Sequence, residues 1–139
     1  MPDDTPTTDQ VWRQLTHLVM DTRDGWKRAV VERTGMPFSR IRILRRLLPG
    51  PLTAKELARA ATMDAPATTV VVNDLEERGL VTREIDPANR RTKLISLTDA
   101  GRETVADALA TPDPAPAELA DLTPSDLRTL HEILRKLEH

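Results

Sequence analysis

Bulky apolar residues recur at helical spacing along the first quarter of the chain. From Thr8 or Asp9 to about Arg33, apolar positions return every seven residues, and a smaller set follows three residues after each of them. The two sets are Trp12, Val19 and Trp26, and Leu15, Thr22 and Ala29. This spacing predicts one long helix that ends before Gly35. Its apolar stripe fits packing within the same domain or a dimerisation helix, and both alternatives stay open.

The middle of the chain alternates short helical patterns with residues that end helices. A second helix is predicted over about 38–48, because Pro49-Gly50-Pro51 stops it. Its predicted apolar face consists of Ile41, Leu44, Leu47 and Leu48. Thr53 and Glu56 then form a capping box, which predicts the start of a short third helix.

A fourth helix is predicted from Asp64, which is a favourable N-cap, to Arg78, just before Gly79. Pro66 is tolerated in its first turn. The third and fourth helices are separated by only a few residues, which is typical of a helix-turn-helix. The fourth helix would then be the recognition helix of that motif.

A predicted β-hairpin follows directly. Residues 80–85 have strand character, Asp86-Pro87-Ala88-Asn89 has turn chemistry, and residues 93–97 form a second strand. The hairpin tip carries Arg90 and Arg91. A helix-turn-helix followed by a basic hairpin predicts a winged helix, so the expected fold is mainly α with a small β-hairpin wing.

The last part of the chain has two predicted helices with a Pro-rich interruption at residues 111–118. Thr98 caps a helix that runs to about Leu109, and Thr123-Pro124 starts the last helix. We expect a single integrated domain in which 1–35 is an N-terminal dimerisation helix, 36–100 is the winged helix-turn-helix and 101–139 contributes C-terminal dimerisation helices. The expected dimerisation residues are Trp12, Leu15, Val19, Leu127, Leu130, Leu134 and Leu137.

The fourth helix has two chemically different faces when its residues are placed 100° apart. Its predicted buried face consists of Thr68, Val71, Val72 and Leu75. The opposite side carries Pro66, Val70, Asn73 and Glu77, with Thr69 on the flank. In a major groove, a Val or Thr methyl group can pack on the thymine methyl group. An Asn side chain can bond the N6 and N7 edge of adenine. An exposed valine beside these polar residues therefore favours DNA recognition over a merely solvated face.

Basic and hydroxyl side chains extend this candidate surface. We expect Arg90 or Arg91 to enter a minor groove, while residues at the starts of the second and third helices contact phosphates, which position the protein without specifying sequence. The predicted DNA-contacting residues are Arg40, Thr53, Lys55, Pro66, Thr69, Val70, Asn73, Arg90, Arg91 and Lys93.

The net charge of −2 conceals an uneven distribution. Residues 38–93 carry 11 Lys and Arg against 7 Asp and Glu, a balance of +4, so the remaining residues have a balance of −6. A basic centre between acidic ends supports a nucleic-acid partner, although a charged helix face produces the same count.

Composition argues against several other classes. Cysteine is absent, which excludes disulfides and a cysteine nucleophile, and Phe38 with two tryptophans makes up the aromatic content, too little for a base-stacking platform. His17, His131 and His139 have no metal-ligand spacing, and no phosphate-binding glycine loop is present. We therefore expect no catalytic residues, no cofactor and no metal.

The chain has no sequence signal for a membrane or for export. No window approaches the roughly 18 consecutive apolar residues of a membrane span. The segment from Met1 to Asp4 is polar and acidic, unlike a signal peptide. A cytoplasmic protein without a membrane partner is the expectation.

Four motifs together resemble the MarR family of bacterial transcriptional regulators over residues 36–102. They are Pro51-Leu52-Thr53-x-x-Glu56-Leu57-Ala58, Asn73-Asp74-Leu75-Glu76-Glu77-Arg78-Gly79-Leu80-Val81-x-Arg83, Asp86-x-x-Asn89-Arg90-Arg91, and Leu97-Thr98-x-x-Gly101. The resemblance implies a symmetric homodimer that binds a pseudo-palindromic double-stranded DNA operator. It also implies a repressor, which in many members is released by a small-molecule effector bound between the dimer helices and the DNA lobe.

A winged-helix module that binds protein and not DNA is the alternative from another class. Such a module would carry acidic residues or a wide apolar patch on its recognition face, together with a neutral wing. The arginines at the predicted wing tip favour DNA. Salt dependence separates the two, because each phosphate contact adds about −0.9 to the log–log slope of DNA affinity against salt.

Overall fold

Helices surround a small antiparallel sheet in residues 3–138, the part of the chain that the computed structural model describes. The elements are α1 (Thr8–Thr34), α2 (Phe38–Arg46), β1 (Leu52–Thr53), α3 (Ala54–Ala60), α4 (Ala65–Glu77), β2 (Val81–Asp86), β3 (Asn89–Leu97), α5 (Asp99–Leu109), α6 (Ala117–Ala120) and α7 (Pro124–Arg135). The predicted mainly α fold with a hairpin wing is confirmed. His139 lies outside the described residues, as do Met1 and Pro2.

Side-chain caps set the starts of the helices that carry the site. The Thr53 hydroxyl accepts a hydrogen bond from the Glu56 backbone N–H at 3.2 Å, while the Glu56 carboxylate accepts one from the Thr53 N–H at 3.0 Å. Asp64 caps α4 by accepting from the Ala67 N–H at 2.7 Å. These bonds satisfy backbone donors that have no partner within the helix, so α3 and α4 begin where the sequence predicts.

The turn between α3 and α4 is tight and contains a strained residue. The Met63 N–H donates to the Ala58 carbonyl at 2.9 Å, which closes the turn. Thr62 has a φ of 53°, in the left-handed region that β-branched side chains rarely adopt. The turn therefore holds the recognition helix at a fixed angle to α3 at some cost in backbone strain.

The sheet has a third strand that the sequence did not indicate. Its order is β1-β3-β2 with antiparallel pairing throughout, and Leu52 of β1 lies opposite Ile95 of β3. Because β1 ends at Thr53, the cap of α3, this pairing fixes the start of α3 beside the wing.

The hydrophobic core lies between α2, α4, α5 and the sheet. The prediction that the second helix reaches residue 48 with Leu48 on its apolar face is wrong. Helix α2 ends at Arg46, and Leu48 is 45% exposed, whereas Ile43 is fully buried. The Leu48 N–H donates to the Arg45 carbonyl three residues earlier, so the chain tightens ahead of Pro49 and turns the Leu48 side chain outward.

The Pro-rich segment separates α5 from the last two helices, as predicted. Between Leu109 and Ala117 the chain is irregular, and an ion pair of 2.8 Å joins Asp113 to Arg23 of α1. Helix α7 contains no buried residue, and α6 is a short helix that the sequence did not indicate.

The end of α4 and the start of α5 meet at a crowded corner. Gly79, with φ of 74°, adopts the left-handed conformation that ends α4, and its carbonyl accepts from the Thr98 hydroxyl at 2.7 Å. A Cβ atom at Gly101 would overlap the Leu80 carbonyl oxygen and approach the Leu97 side chain to 3.1 Å. Glycine at position 101 therefore permits the close packing that positions α4.

We expect Gly101→Ala to lower the free energy of unfolding by about 1–3 kcal/mol, because backbone must move to admit the methyl group. Gly25→Ala is the matched control, since Gly25 lies within α1 and a Cβ there meets nothing within 4 Å. The control should gain about 0.5–1 kcal/mol from helix propensity. Urea unfolding at one protein concentration measures both, and equal effects would contradict the packing role of Gly101.

Candidate nucleic-acid interface

Helix α4 presents one face to the core and the other to solvent. Its core face is the predicted one, formed by the buried residues Thr68, Val71, Val72 and Leu75. The opposite face exposes Pro66, Thr69, Val70 and Asn73. Val70 is 60% exposed, which leaves an apolar side chain in water on the face that a recognition helix turns toward a base edge.

The wing carries its basic residues on an irregular part of the hairpin. Asp86 pairs with Asn89 at the tip, but Ile85 pairs with Lys93, so Arg90, Arg91 and Thr92 have no counterparts on β2. Arg90 and Arg91 are exposed. A register shift of this kind bends the strand and changes the directions of its side chains relative to a regular hairpin.

A basic cleft lies between the wing and the start of α3. It has a volume of about 510 Å³ and includes Lys55, Arg91 and Lys93 in its lining, with Thr53 at its edge. Within residues 3–138, none of these three cationic side chains forms an ion pair. The cleft therefore carries positive charge that an anionic backbone can neutralise.

Arg40, a predicted phosphate contact, is engaged within the protein. Its guanidinium donates to the Asp74 carboxylate of α4 at 3.1 Å, and Arg78 donates to the same carboxylate at 3.0 Å. These hydrogen bonds, from Arg40 first and then Arg78, lower the pKa of the Asp74 carboxyl below its ordinary value of 3.8. Arg40 thus fastens α2 to the recognition helix.

Arg83 of β2 also contacts the recognition helix, and the sequence analysis did not select it. One guanidinium nitrogen donates to the Asn73 side-chain oxygen at 2.6 Å, and another donates to the Glu76 carboxylate at 3.1 Å. A signal was available in strand alternation, which places Arg83 on the same face as buried Val81 and so directs it toward the body of the domain.

The predicted dimerisation residues lie on two exposed apolar stripes. On α1, Trp12 is 66% exposed and Val19 is exposed with it, while Leu15 is half-buried. The second stripe consists of Leu127, Leu130 and Leu134 of α7 and Leu137 just beyond it, of which Leu130 is half-buried and the others are exposed. These stripes are separate in sequence from the predicted DNA-contacting residues of α3, α4 and the wing.

A small cavity lies where α1, α2 and α5 meet. It measures about 100 Å³, and its aromatic wall is Trp26 with Phe38, whose rings pack edge to face at 5.7 Å. Arg42, Arg45 and Arg46 of α2 line another side, and in the described part of the chain none of the three has an acidic partner. The cavity combines an apolar surface with positive charge.

Among the described residues, no group of three His, Asp or Glu side chains comes together as a metal site would require. In residues 3–138, no helix is long and apolar enough to cross a membrane.

Comparison with known proteins identifies similar proteins. A family model described as the MarR family matches residues 34–92. Sco3205 of Streptomyces coelicolor, a MarR family transcriptional regulator solved in complex with DNA, is 27% identical, with 97% of this chain and 91% of that chain covered and a TM-score of 0.62.

Two further structures are similar over most of the chain. A MarR family transcriptional regulator from Rhodococcus is 25% identical, with 96% of each chain covered and a TM-score of 0.67. MarR of E. coli in its apo form is 20% identical and shares the fold, with a TM-score of 0.69 over 90% of this chain and 97% of that chain.

The ion pairs of Asp74 predict a pH-dependent contribution to stability. Because folding lowers the pKa of this carboxyl, its contribution is present above pH 3.8 and is lost as pH falls through the lower folded value. We therefore expect Asp74→Asn to be less stable than the wild type at pH 7, with the difference shrinking by pH 3. Asp99→Asn is the control, since Asp99 is fully exposed and its contact with Arg102 is longer, at 3.4 Å. In urea unfolding at both pH values, a difference for Asp74→Asn that did not change with pH would refute the role of the ion pairs.

Proposed function

Since this chain belongs to the MarR family, we propose that it acts as a homodimeric repressor on a pseudo-palindromic DNA operator. Members of the family are DNA-binding transcription regulators and not enzymes, and this chain is one of them. Because a repressor must reach genomic DNA, its proposed location is the cytoplasm.

The proposed DNA-binding surface is supported by one observation: the exposed face of α4 lies beside cationic side chains that have no acidic partner in the described chain. Helix α4 offers Thr69, Val70 and Asn73 as base contacts, and the neighbouring cleft offers Lys55 and Arg91 without acidic partners in the described chain. Phosphate contacts would then fix the position of the domain, while the α4 side chains distinguish base pairs in the major groove. Thr53, Pro66, Arg90 and Lys93 border the same surface.

A second copy of the chain is the proposed cover for the exposed apolar stripes of α1 and α7. Helix α7 has 12 residues and buries none of them, although helices of this length are marginally stable in water unless an apolar face is packed. Trp12 and Val19 likewise leave a large apolar area in water. Pairing of the 1–35 and 101–139 regions between two chains would bury both stripes and give the DNA lobes two-fold symmetry.

Two-fold symmetry determines the form of the operator. A symmetric pair of recognition helices fits successive major grooves on one side of the duplex, so the half-sites should lie about one helical turn apart. A dimer bound across a promoter excludes other proteins from the same DNA, and repression requires no additional contact.

The cavity between α1, α2 and α5 is the proposed effector site. It adjoins both α2, which is fastened to α4 through Arg40, and the helices assigned to dimerisation. Aromatic walls beside Arg42 and Arg46 suit a small aromatic carboxylate. At about 100 Å³ the cavity is smaller than typical ligand pockets of ~300–1,000 Å³, which limits the effector to few atoms unless the helices separate.

Selection of bound duplexes from a random DNA pool tests the proposed function. We expect an inverted repeat with half-sites about 10 bp apart to be enriched by a protein that has the mass of a dimer in solution. Affinity for the enriched duplex should fall steeply as salt rises. A folded dimer that enriched no sequence would contradict the proposal and favour the protein-interaction module.

The same assay examines the dimer interface through a matched pair of variants. Leu134→Asp places a charge in the exposed α7 stripe, whereas Thr129→Asp places it on another side of α7. We expect the Leu134 variant to be monomeric and to bind a full operator no better than a half-site. A monomeric Thr129 variant, or a dimeric Leu134 variant, would contradict the assigned interface.

Benzoate is the probe for the effector site. We expect it to release the protein from the selected duplex, and we expect Arg42→Met to raise the concentration needed by roughly tenfold, the worth of one charge-assisted hydrogen bond. Arg102→Met, at an exposed position of α5, is the control and should leave that concentration unchanged. Absence of release, or equal effects of the two substitutions, would contradict this assignment.

A further inference from the structure

Arg83 joins the wing to the exposed face of the recognition helix through one planar group. Its guanidinium donates to Asn73 at 2.6 Å and to Glu76 at 3.1 Å, two residues that lie one turn apart on α4. The Arg83 side chain is 23% exposed, so most of it is packed away from water. The contact therefore restricts the Asn73 side chain, which would otherwise rotate freely in solvent.

The contact also changes what Asn73 can offer to a base. An asparagine amide has two N–H donors and an oxygen that accepts through two lone pairs. Arg83 holds the Asn73 oxygen toward the wing, whereas the Asn73 nitrogen has no hydrogen-bond partner among the described residues. The free capacity of the side chain is therefore mainly that of a donor.

Adenine and guanine present different hydrogen-bonding groups to such a side chain in the major groove. Paired recognition of adenine requires an asparagine to donate to N7 and accept from N6 at once, with its oxygen and nitrogen both facing the base. Guanine presents two neighbouring acceptors, N7 and O6, to which a donor alone can bind. An oxygen turned toward Arg83 disfavours the first arrangement and leaves the second intact.

We propose that Arg83 is a positioning residue that makes Asn73 a hydrogen-bond donor, so that the chain prefers guanine to adenine at the base beneath Asn73. The proposal rests on the role of α4 as the DNA-reading helix. It modifies the interpretation from sequence alone, in which Asn73 pairs with adenine.

Arg83 lines the same cleft as the phosphate-binding candidate Arg91 but differs from it in charge pairing. Glu76 neutralises its charge at 3.1 Å, whereas Arg91 is exposed and has no acidic partner within residues 3–138. A guanidinium that is already paired and packed releases few counterions from DNA. Removing Arg83 should therefore alter base preference and leave the salt dependence of binding unchanged.

The experiment compares base preference in duplexes selected by the wild type and by variants of the full chain. Asn73→Ala first identifies the base pair that Asn73 contacts, as the position at which preference is lost. At that position we expect the wild type to favour guanine over adenine by roughly tenfold, within the range of one good base contact. Arg83→Met should abolish this ratio or reverse it toward adenine, and adding it to Asn73→Ala should change nothing further.

Three variants serve as controls. Arg91→Ala should reduce the salt slope by about 0.9 and keep the base preference. Arg83→Met should keep the salt slope and change the base preference. Arg102→Met removes an arginine whose ion pair lies on α5 and should change neither property. Arg83→Lys keeps the positive charge but replaces the planar guanidinium fork with a single nitrogen on a flexible stem, which holds Asn73 and Glu76 less rigidly. It should therefore retain part of the guanine preference, and it serves if the Met variant does not fold.

The outcomes separate this inference from the proposed function. If the wild type enriches no duplex, the proposed function itself is contradicted. If an inverted repeat is enriched, a wild-type preference for adenine that Arg83→Met or Arg83→Lys leaves unchanged would overturn the role of Arg83. A fall in salt slope for Arg83→Met equal to that of Arg91→Ala would overturn it as well.

Discussion

Burial of one face of α4 is the constraint on which the candidate surface depends. Val71, Val72 and Leu75 are almost wholly removed from water, and each such side chain contributes about 1.5–3 kcal/mol when buried. A helix anchored so firmly cannot rotate about its axis without exposing them. The core therefore determines that Val70 and Asn73 lie on the exposed face of α4.

Polar contacts then fix α4 against its neighbours in directions that packing alone leaves free. Asp74 holds α2 through Arg40, while Asn73 and Glu76 hold the wing through Arg83. Some basic residues of the domain therefore form ion pairs within the protein, whereas others have no acidic partner in the described part of the chain. This division explains how a chain with a net charge of −2 presents a positive cleft, since Asp74 and Glu76 pair with structural arginines and 15 of the 22 acidic residues lie outside the 38–93 region.

The sequence predicted features governed by neighbouring residues and missed those governed by distant ones. Capping by Thr53 and Asp64 and the stop at Gly79 follow from local hydrogen bonding and backbone freedom, and these helix ends are confirmed. Strand β1 was missed because two residues carry no periodicity, and only their pairing with β3 defines them. The pairing of Arg40 with Asp74 spans 34 positions, and no local pattern distinguishes it from a solvated arginine.

The bridge between Asn73, Arg83 and Glu76 has a consequence for how related proteins can diverge. Replacing Asn73 alone leaves one guanidinium N–H of Arg83 without its acceptor. Replacing Arg83 alone leaves the Glu76 carboxylate without its partner. Each single change has a cost that the matching second change relieves. Shifts in DNA preference at this position should accordingly arise as paired substitutions on the helix and the wing, and a lineage would cross a less stable intermediate to complete them.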